Sequence, residues 1–92
     1  MLSRTVTVAN GLGLHARAAA RFVHLASRFQ SHVRVTSGAK TMDGKSIMGI
    51  LLLAAAAGSL LTVSADGEDE RAAVDVLCGF IETGFGEDTC NA

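Results

Sequence analysis

The sequence predicts an α+β fold of order β-α-β-β-α-β-α, an open-faced sandwich whose mainly antiparallel four-stranded sheet carries three helices on one face. Three observations predict it. Thr5-Val6-Thr7-Val8, His32-Val33-Arg34-Val35-Thr36 and Leu61-Thr62-Val63-Ser64-Ala65 alternate polar with apolar residues, the period of strands with one dry face. From Ala16 to about Arg28, and again beyond Glu70, apolar residues recur at spacings of three and four, the period of a helix. Each change of period falls on Gly, Asn, Asp or Ser, the residues that turns favour. Strictly alternating strands leave one face wet, so all the helices belong on the other. Residues 1–92 read as one domain, with no repeat and no linker.

The first strand ends at Asn10-Gly11-Leu12-Gly13. The helix that follows has Ala19, Ala20, Val23 and Ala26 on one face and a basic stripe of Arg17, Arg21, His24 and Arg28 on another. The second strand leads through Ser37-Gly38-Ala39, a hairpin turn, into a short strand near Lys40 to Met42. Asp43-Gly44 turns the chain again. Ser46 is a good N-cap, so a short helix begins with Ile47-Met48-Gly49-Ile50-Leu51, and Gly58 is its natural stop. After the fourth strand, Asp66-Gly67 turns into a last helix. Glu68, Asp69 and Glu70 place negative charge at its start, where the helix dipole favours it. Ala73, Leu77, Phe80 and Ile81 form its apolar face, Gly84-Phe85 suits a C-terminal cap, and the tail from Gly86 to Ala92 is expected to fray.

Composition narrows the function. A net charge of −1 and an aromatic content of 4% argue against a nucleic-acid surface, and the basic stripe lacks interleaved aromatics. The longest apolar run, Ile47 to Ala57, is too short for a bilayer, and no signal-peptide pattern opens the chain. Cys78 and Cys90 read as reduced thiols, so a soluble cytoplasmic protein is expected, with no membrane partner. His15, His24 and His32 are nine and eight residues apart without clustered Cys or carboxylates, so no metal is expected. Gly11 and Gly13 lack the third glycine and the parallel β-α-β setting of a dinucleotide site.

The chemistry concentrates in Gly13-Leu14-His15-Ala16-Arg17. A helix start offers unpaired N–H groups and partial positive charge, which attract anions. A neutral imidazole there has a nitrogen lone pair for an electrophile, and Arg17 adds a full positive charge beside any anion it acquires. A histidine in this place is, taken alone, better explained by capping. The flanking glycines and Arg17 point instead to a nucleophile, and no serine or carboxylate nearby suggests a hydrolytic triad. Ser46 is a cap that would also tolerate a phosphate at a helix N-terminus. A short helix cannot bury every side, so some of Ile47, Met48 and Leu51 form an exposed apolar patch for a protein partner.

These two segments resemble the HPr family, the histidine phosphocarriers of the bacterial sugar phosphotransferase system. Gly13-Leu14-His15-Ala16-Arg17 is similar to the family's active-site signature, and Lys45-Ser46-Ile47-Met48-Gly49 to its regulatory serine segment; length and element order agree. The resemblance implies a phosphoryl carrier without a cofactor, and a monomer fits a carrier that exposes one docking face. His15 would accept phosphate on Nδ1 from phosphorylated enzyme I and pass it to enzyme IIA domains, and Arg17 would help neutralise it. Partners would dock on Ala16, Arg17, Ala20, Ile47, Met48 and Leu51. It also implies that a kinase/phosphorylase modifies Ser46, slowing transfer and recruiting a transcription regulator. Two rival readings are a nitrogen-related paralogue with a mainly regulatory role and a regulatory module that performs no transfer; the presence of both His15 and Arg17 argues against the second. One departure stands out. The family usually has proline after the arginine, where this chain has Ala18.

Overall fold

Alternation along the strands decides which face of the sheet is dry, and the strand register lines those positions up. The computed structural model describes residues 1–9, 11 and 13–86. The elements are β1 (Leu2–Thr7), α1 (Ala16–Ala26), β2 (His32–Ser37), β3 (Lys40–Asp43), α2 (Ile47–Leu52), β4 (Leu60–Asp66) and α3 (Glu70–Glu82). The sheet order is β1-β4-β2-β3 and every neighbouring pair is antiparallel. The last strand in the chain therefore lies between β1 and β2. Val6 faces Leu61, Val33 faces Ala65 and Val35 faces Val63 across the ladders, and all six are buried. The opposite face carries hydroxyls that pair across strands: Ser3 with Ser64 at 2.8 Å, Thr5 with Thr62 at 2.8 Å and Thr36 with Thr41 at 3.0 Å. This is the wet face that strict alternation requires.

The helices cover the dry face. On α1 the buried residues are Ala18, Ala19, Phe22, Val23 and Ala26; on α3 they are Ala73, Val74, Leu77, Cys78 and Ile81. Ala20, expected on the apolar stripe, is exposed. Turning Phe22 inward rotates the stripe toward Ala18 and away from Ala20, because the largest side chain gains most from burial. Truncating Phe22 to alanine would cost about 3–5 kcal/mol on this account. Arg4 shares the inward parity of Val6, yet sits on the edge strand, where its guanidinium reaches Asp75 of α3 at 2.5 Å. That bond raises the Arg4 pKa above its ordinary value.

Two helices end earlier than their sequences suggest. Beyond Ala26, the amides of Arg28 and Phe29 bond to Leu25 and Ala26, three residues back, so α1 tightens into a last turn. α2 stops at Leu52 rather than running on to Gly58. Alanines favour helix, but Leu53 and Ala55 are buried on both sides of Ala54, which takes φ +51. Gly58 N–H also bonds Val8 C=O at 2.9 Å. Packing and the return to β4 override local propensity here. α3 ends as expected. Gly84, at φ +78, donates to Ile81 C=O at 3.0 Å and Phe85 donates to Phe80 C=O at 2.9 Å, the two bonds of a Schellman cap. The Phe85 ring then packs edge-on to Phe80 with centroids 5.9 Å apart.

Cys78 is a free thiol in the core, and burial pushes its pKa up. Cys90 and, past Gly86, the tail expected to fray lie outside the described residues. Among those described, no helix is long and apolar enough to cross a membrane.

Candidate functional site

The loop between β1 and α1 places His15 as the N-cap of α1, with extended backbone at φ −105° and ψ −179°. Its carbonyl accepts the first intrahelical bond, from Ala19 N–H at 2.8 Å. Its ring is half-buried, and Nδ1 accepts the Arg17 N–H at 3.3 Å. That bond needs a lone pair on Nδ1, which puts the proton of the neutral ring on Nε2. The nucleophilic electron pair therefore points at the amides of the first turn. An anion attached there meets the positive end of the helix dipole.

Arg17 is exposed, and among the described residues no carboxylate pairs with its guanidinium. The first turn of α1 carries no acidic residue. Ala18, where a proline was expected, is completely buried. Leu14 is buried beneath the loop, and Gly13 turns the chain into it at φ +67. The rest of the basic stripe is less uniform than its spacing suggests. Arg21 donates from Nη1 to Gly86 C=O at 3.1 Å, which ties it to the segment after α3. His24 and Arg28 flank a shallow groove floored by Leu25 and Phe80.

Ser46 repeats the capping geometry on α2. Its Oγ accepts the Gly49 N–H at 3.1 Å, and the residue is half-buried. The neighbouring Lys45 donates from Nζ to Phe29 C=O at 2.7 Å, which anchors it to the connection after α1. Ile47 is 45% exposed and Met48 69%, which leaves large apolar area facing solvent. Leu51, placed on that patch by the sequence, is half-buried against the core. Leu52, at 56% exposure, occupies the open position instead. Only Ile50 of α2 is buried, and α1 packs against α2, so the arginine-bearing helix and the apolar tip adjoin. Ala16 and Ala20 are exposed on α1. Among the described residues, no three His, Cys, Asp or Glu gather in a metal-binding group.

Sequence reasoning missed Leu52 and Ala55. The Leu52 position follows from where the six-residue helix turns, while the Ala55 backbone carbonyl accepts the Leu14 N–H at 2.8 Å, a contact no residue type announces.

An open site with one nucleophilic nitrogen and one guanidinium, beside an exposed apolar helix, suits a small carrier protein that meets its reaction partners at its surface. Comparison with known proteins agrees. The family PTS-HPr, described as the PTS HPr component phosphorylation site, matches residues 2–83. The phosphocarrier protein HPr of Cupriavidus necator is 47% identical over 87 residues, covering 95% of this chain and 98% of that protein. The phosphocarrier protein NPr of Shewanella violacea is 38% identical over 86 residues, 94% of each chain. The crystal structure of HPr-C-His from Thermoanaerobacter tengcongensis superposes with a TM-score of 0.89 at 43% identity, covering 96% of this chain and 99% of that one. The chain belongs to the HPr family, the phosphocarrier proteins of the phosphotransferase system.

Proposed function

We propose that His15 is the phosphoryl acceptor and donor of this carrier, taking the group from phosphorylated enzyme I and passing it to an enzyme IIA domain. The observation that carries this reading is the Arg17 N–H bond to His15 Nδ1, which orients that lone pair at the N-terminus of α1. Nδ1 attacks phosphorus as the bond to the donor breaks, and the same bond is reversed on transfer to the acceptor. Arg17 neutralises charge on the phosphoryl oxygens, while the open setting keeps the phosphoramidate from being over-stabilised. Catalysis is then mostly alignment of donor and acceptor in a transient complex. Arg17, Ala16 and Ala20 of α1, with Ile47, Met48 and the half-buried Leu51 of α2, make the docking face. Exposed Met suits contact with several partners. One docking face fits a monomeric carrier, which sedimentation would check.

Ser46 is proposed as a regulatory phosphorylation site for a kinase/phosphorylase. A phosphate there would sit at the start of α2 and place negative charge on the docking face, slowing transfer and creating a surface for a transcription regulator. A nitrogen-related role is the second reading, favoured by the NPr relative. Incubation with phosphoenolpyruvate and either type of enzyme I separates the two by which donor labels the protein faster. With the preferred donor, His15→Ala is expected to abolish uptake of label while leaving the fold intact, the melt falling only by the loss of one helix-cap bond. Label retained by that variant would refute the assignment.

A further inference from the structure

We propose that the connection between α2 and β4 clamps the His15 loop from below, and that Gly13 is a positioning residue for phosphoryl transfer. The proposal rests on the reading of His15 as the phosphoryl acceptor. The chain leaving β1 and the chain leaving α2 are joined by backbone bonds at two levels. At the base, Gly58 N–H donates to Val8 C=O at 2.9 Å and Val8 N–H donates to Ser59 C=O at 2.8 Å. Nearer the imidazole, Leu14 N–H donates to Ala55 C=O at 2.8 Å. Beside that bond, Gly13 lies flat on the backbone of Ala55 and Ala56. A Cβ at Gly13 would stand 2.6 Å from the Ala55 oxygen and 3.0 Å from the Ala56 Cα, and φ +67 is itself unfavourable for an L side chain.

The other side of the clamp is shaped with equal constraint. Ala54 occupies the left-handed region at φ +51 without being glycine, between the buried Leu53 and Ala55. A strained turn of this kind persists when its surroundings over-determine it. Here the turn precedes the carbonyl that receives the Leu14 amide. Leu14 is the residue immediately before His15, so the clamp fixes the backbone from which the imidazole projects. Transfer between two proteins depends on placing Nδ1 and phosphorus in line, where a misplacement of about 1 Å can cost about 100-fold. The clamp also springs from the end of α2, so a partner pressing on Met48 and Leu52 bears on the backbone that holds Leu14.

The test compares two glycines of one loop. Gly13→Ala would wedge the clamp apart, whereas a Cβ at Gly11 meets nothing within 4 Å. For transfer from phosphorylated enzyme I, Gly13→Ala is expected to lower kcat by about tenfold or more with KM within about twofold. Gly11→Ala is expected to match the wild type in both. In NMR spectra, Gly13→Ala should shift the His15 ring and Arg17 amide resonances. If Gly13→Ala does not fold, a semisynthetic protein with an ester in place of the Leu14 amide removes the N–H donor without adding a side chain and should also lower kcat. A folded Gly13→Ala, or the ester protein, with wild-type kcat would overturn the proposal. Should the wild type itself take up no label, the acceptor reading has failed, and the resonances decide the clamp separately: unshifted His15 and Arg17 signals in Gly13→Ala overturn it.

Discussion

The starts of α1 and α3 solve the same electrostatic problem in opposite ways. Both helices begin with unsatisfied amides and partial positive charge. At α3 the chain supplies its own anions. Glu70 accepts the Gly67 N–H at 3.2 Å, and this bond lowers its pKa. Asp69, the N-cap, bonds the Ser31 hydroxyl, the Ser31 N–H at 2.9 Å and the Gln30 N–H at 2.8 Å, so it ties α3 to the connection between α1 and β2. At α1 the first turn has no acidic residue; it has Arg17, and its cap is an imidazole. One helix start is neutralised by the fold and locks two loops together. The other carries no acid of its own, which fits the phosphoryl group proposed for His15. The helix dipole alone accounts for an acid at Asp69, yet its side chain bonds across to the neighbouring connection, because Ser31 is buried and needs partners for its polar groups.

This contrast can be broken from either side. The larger effect on transfer is expected at α1. Arg17→Ala should slow phosphoryl transfer by about 10- to 100-fold, the worth of one charge-assisted hydrogen bond, with melting temperature unchanged. A rate near wild type would mean that the helix amides alone carry the charge.

At α3 the expected effect falls on stability and not on transfer. The Ser31 hydroxyl, followed by the Gln30 amide, holds Asp69 below the ordinary 3.8. A carboxylate with a depressed pKa stabilises the fold above its unfolded value, and that contribution is lost as pH falls through the depressed one. Asp69→Asn should therefore melt at lower temperature than wild type at neutral pH, and the gap should close as pH drops below about 3.8 toward the Asp69 midpoint. Melting curves across that range check it, and a gap independent of pH would exclude the carboxylate charge as its source.

The smallest effect concerns Ala18. The first intrahelical bond of α1 is donated by Ala19, so a proline at position 18 removes no bond that the helix makes. Ala18→Pro is expected to raise stability by about 0.4–1 kcal/mol through the unfolded state, with little change in transfer. A loss of stability would show that the buried site has no room for the ring.

Much of the fold is legible in the residues because the strands alternate and the helices do not. Val33 and Val35, or Ala73 and Leu77, announce their faces without reference to anything distant. The candidate site is legible for the same reason: His15, Arg17 and Ser46 lie at helix starts, where the local environment is set by a few neighbours in sequence. What escapes local reading depends on partners far along the chain. The alanines after Leu53 favour helix, yet Ala54 turns left-handed because Leu53, Ala55 and Gly58 are held by other parts of the molecule. Ala20 and Leu51 shifted between exposed and packed positions because Phe22 and Ile50 decide how their helices rotate against the sheet.

The sequence by itself determined the order of elements, the dry face of the sheet and the residues able to carry charge or accept a phosphoryl group. These follow from period, turn chemistry and side-chain type, all of them local. Only the tertiary structure decided that β4 sits at the centre of the sheet, that Asp69 serves another loop, and that a backbone carbonyl at Ala55 holds the residue before His15. Each of these is a contact between distant segments made by backbone groups or by geometry, and a residue name carries no record of it.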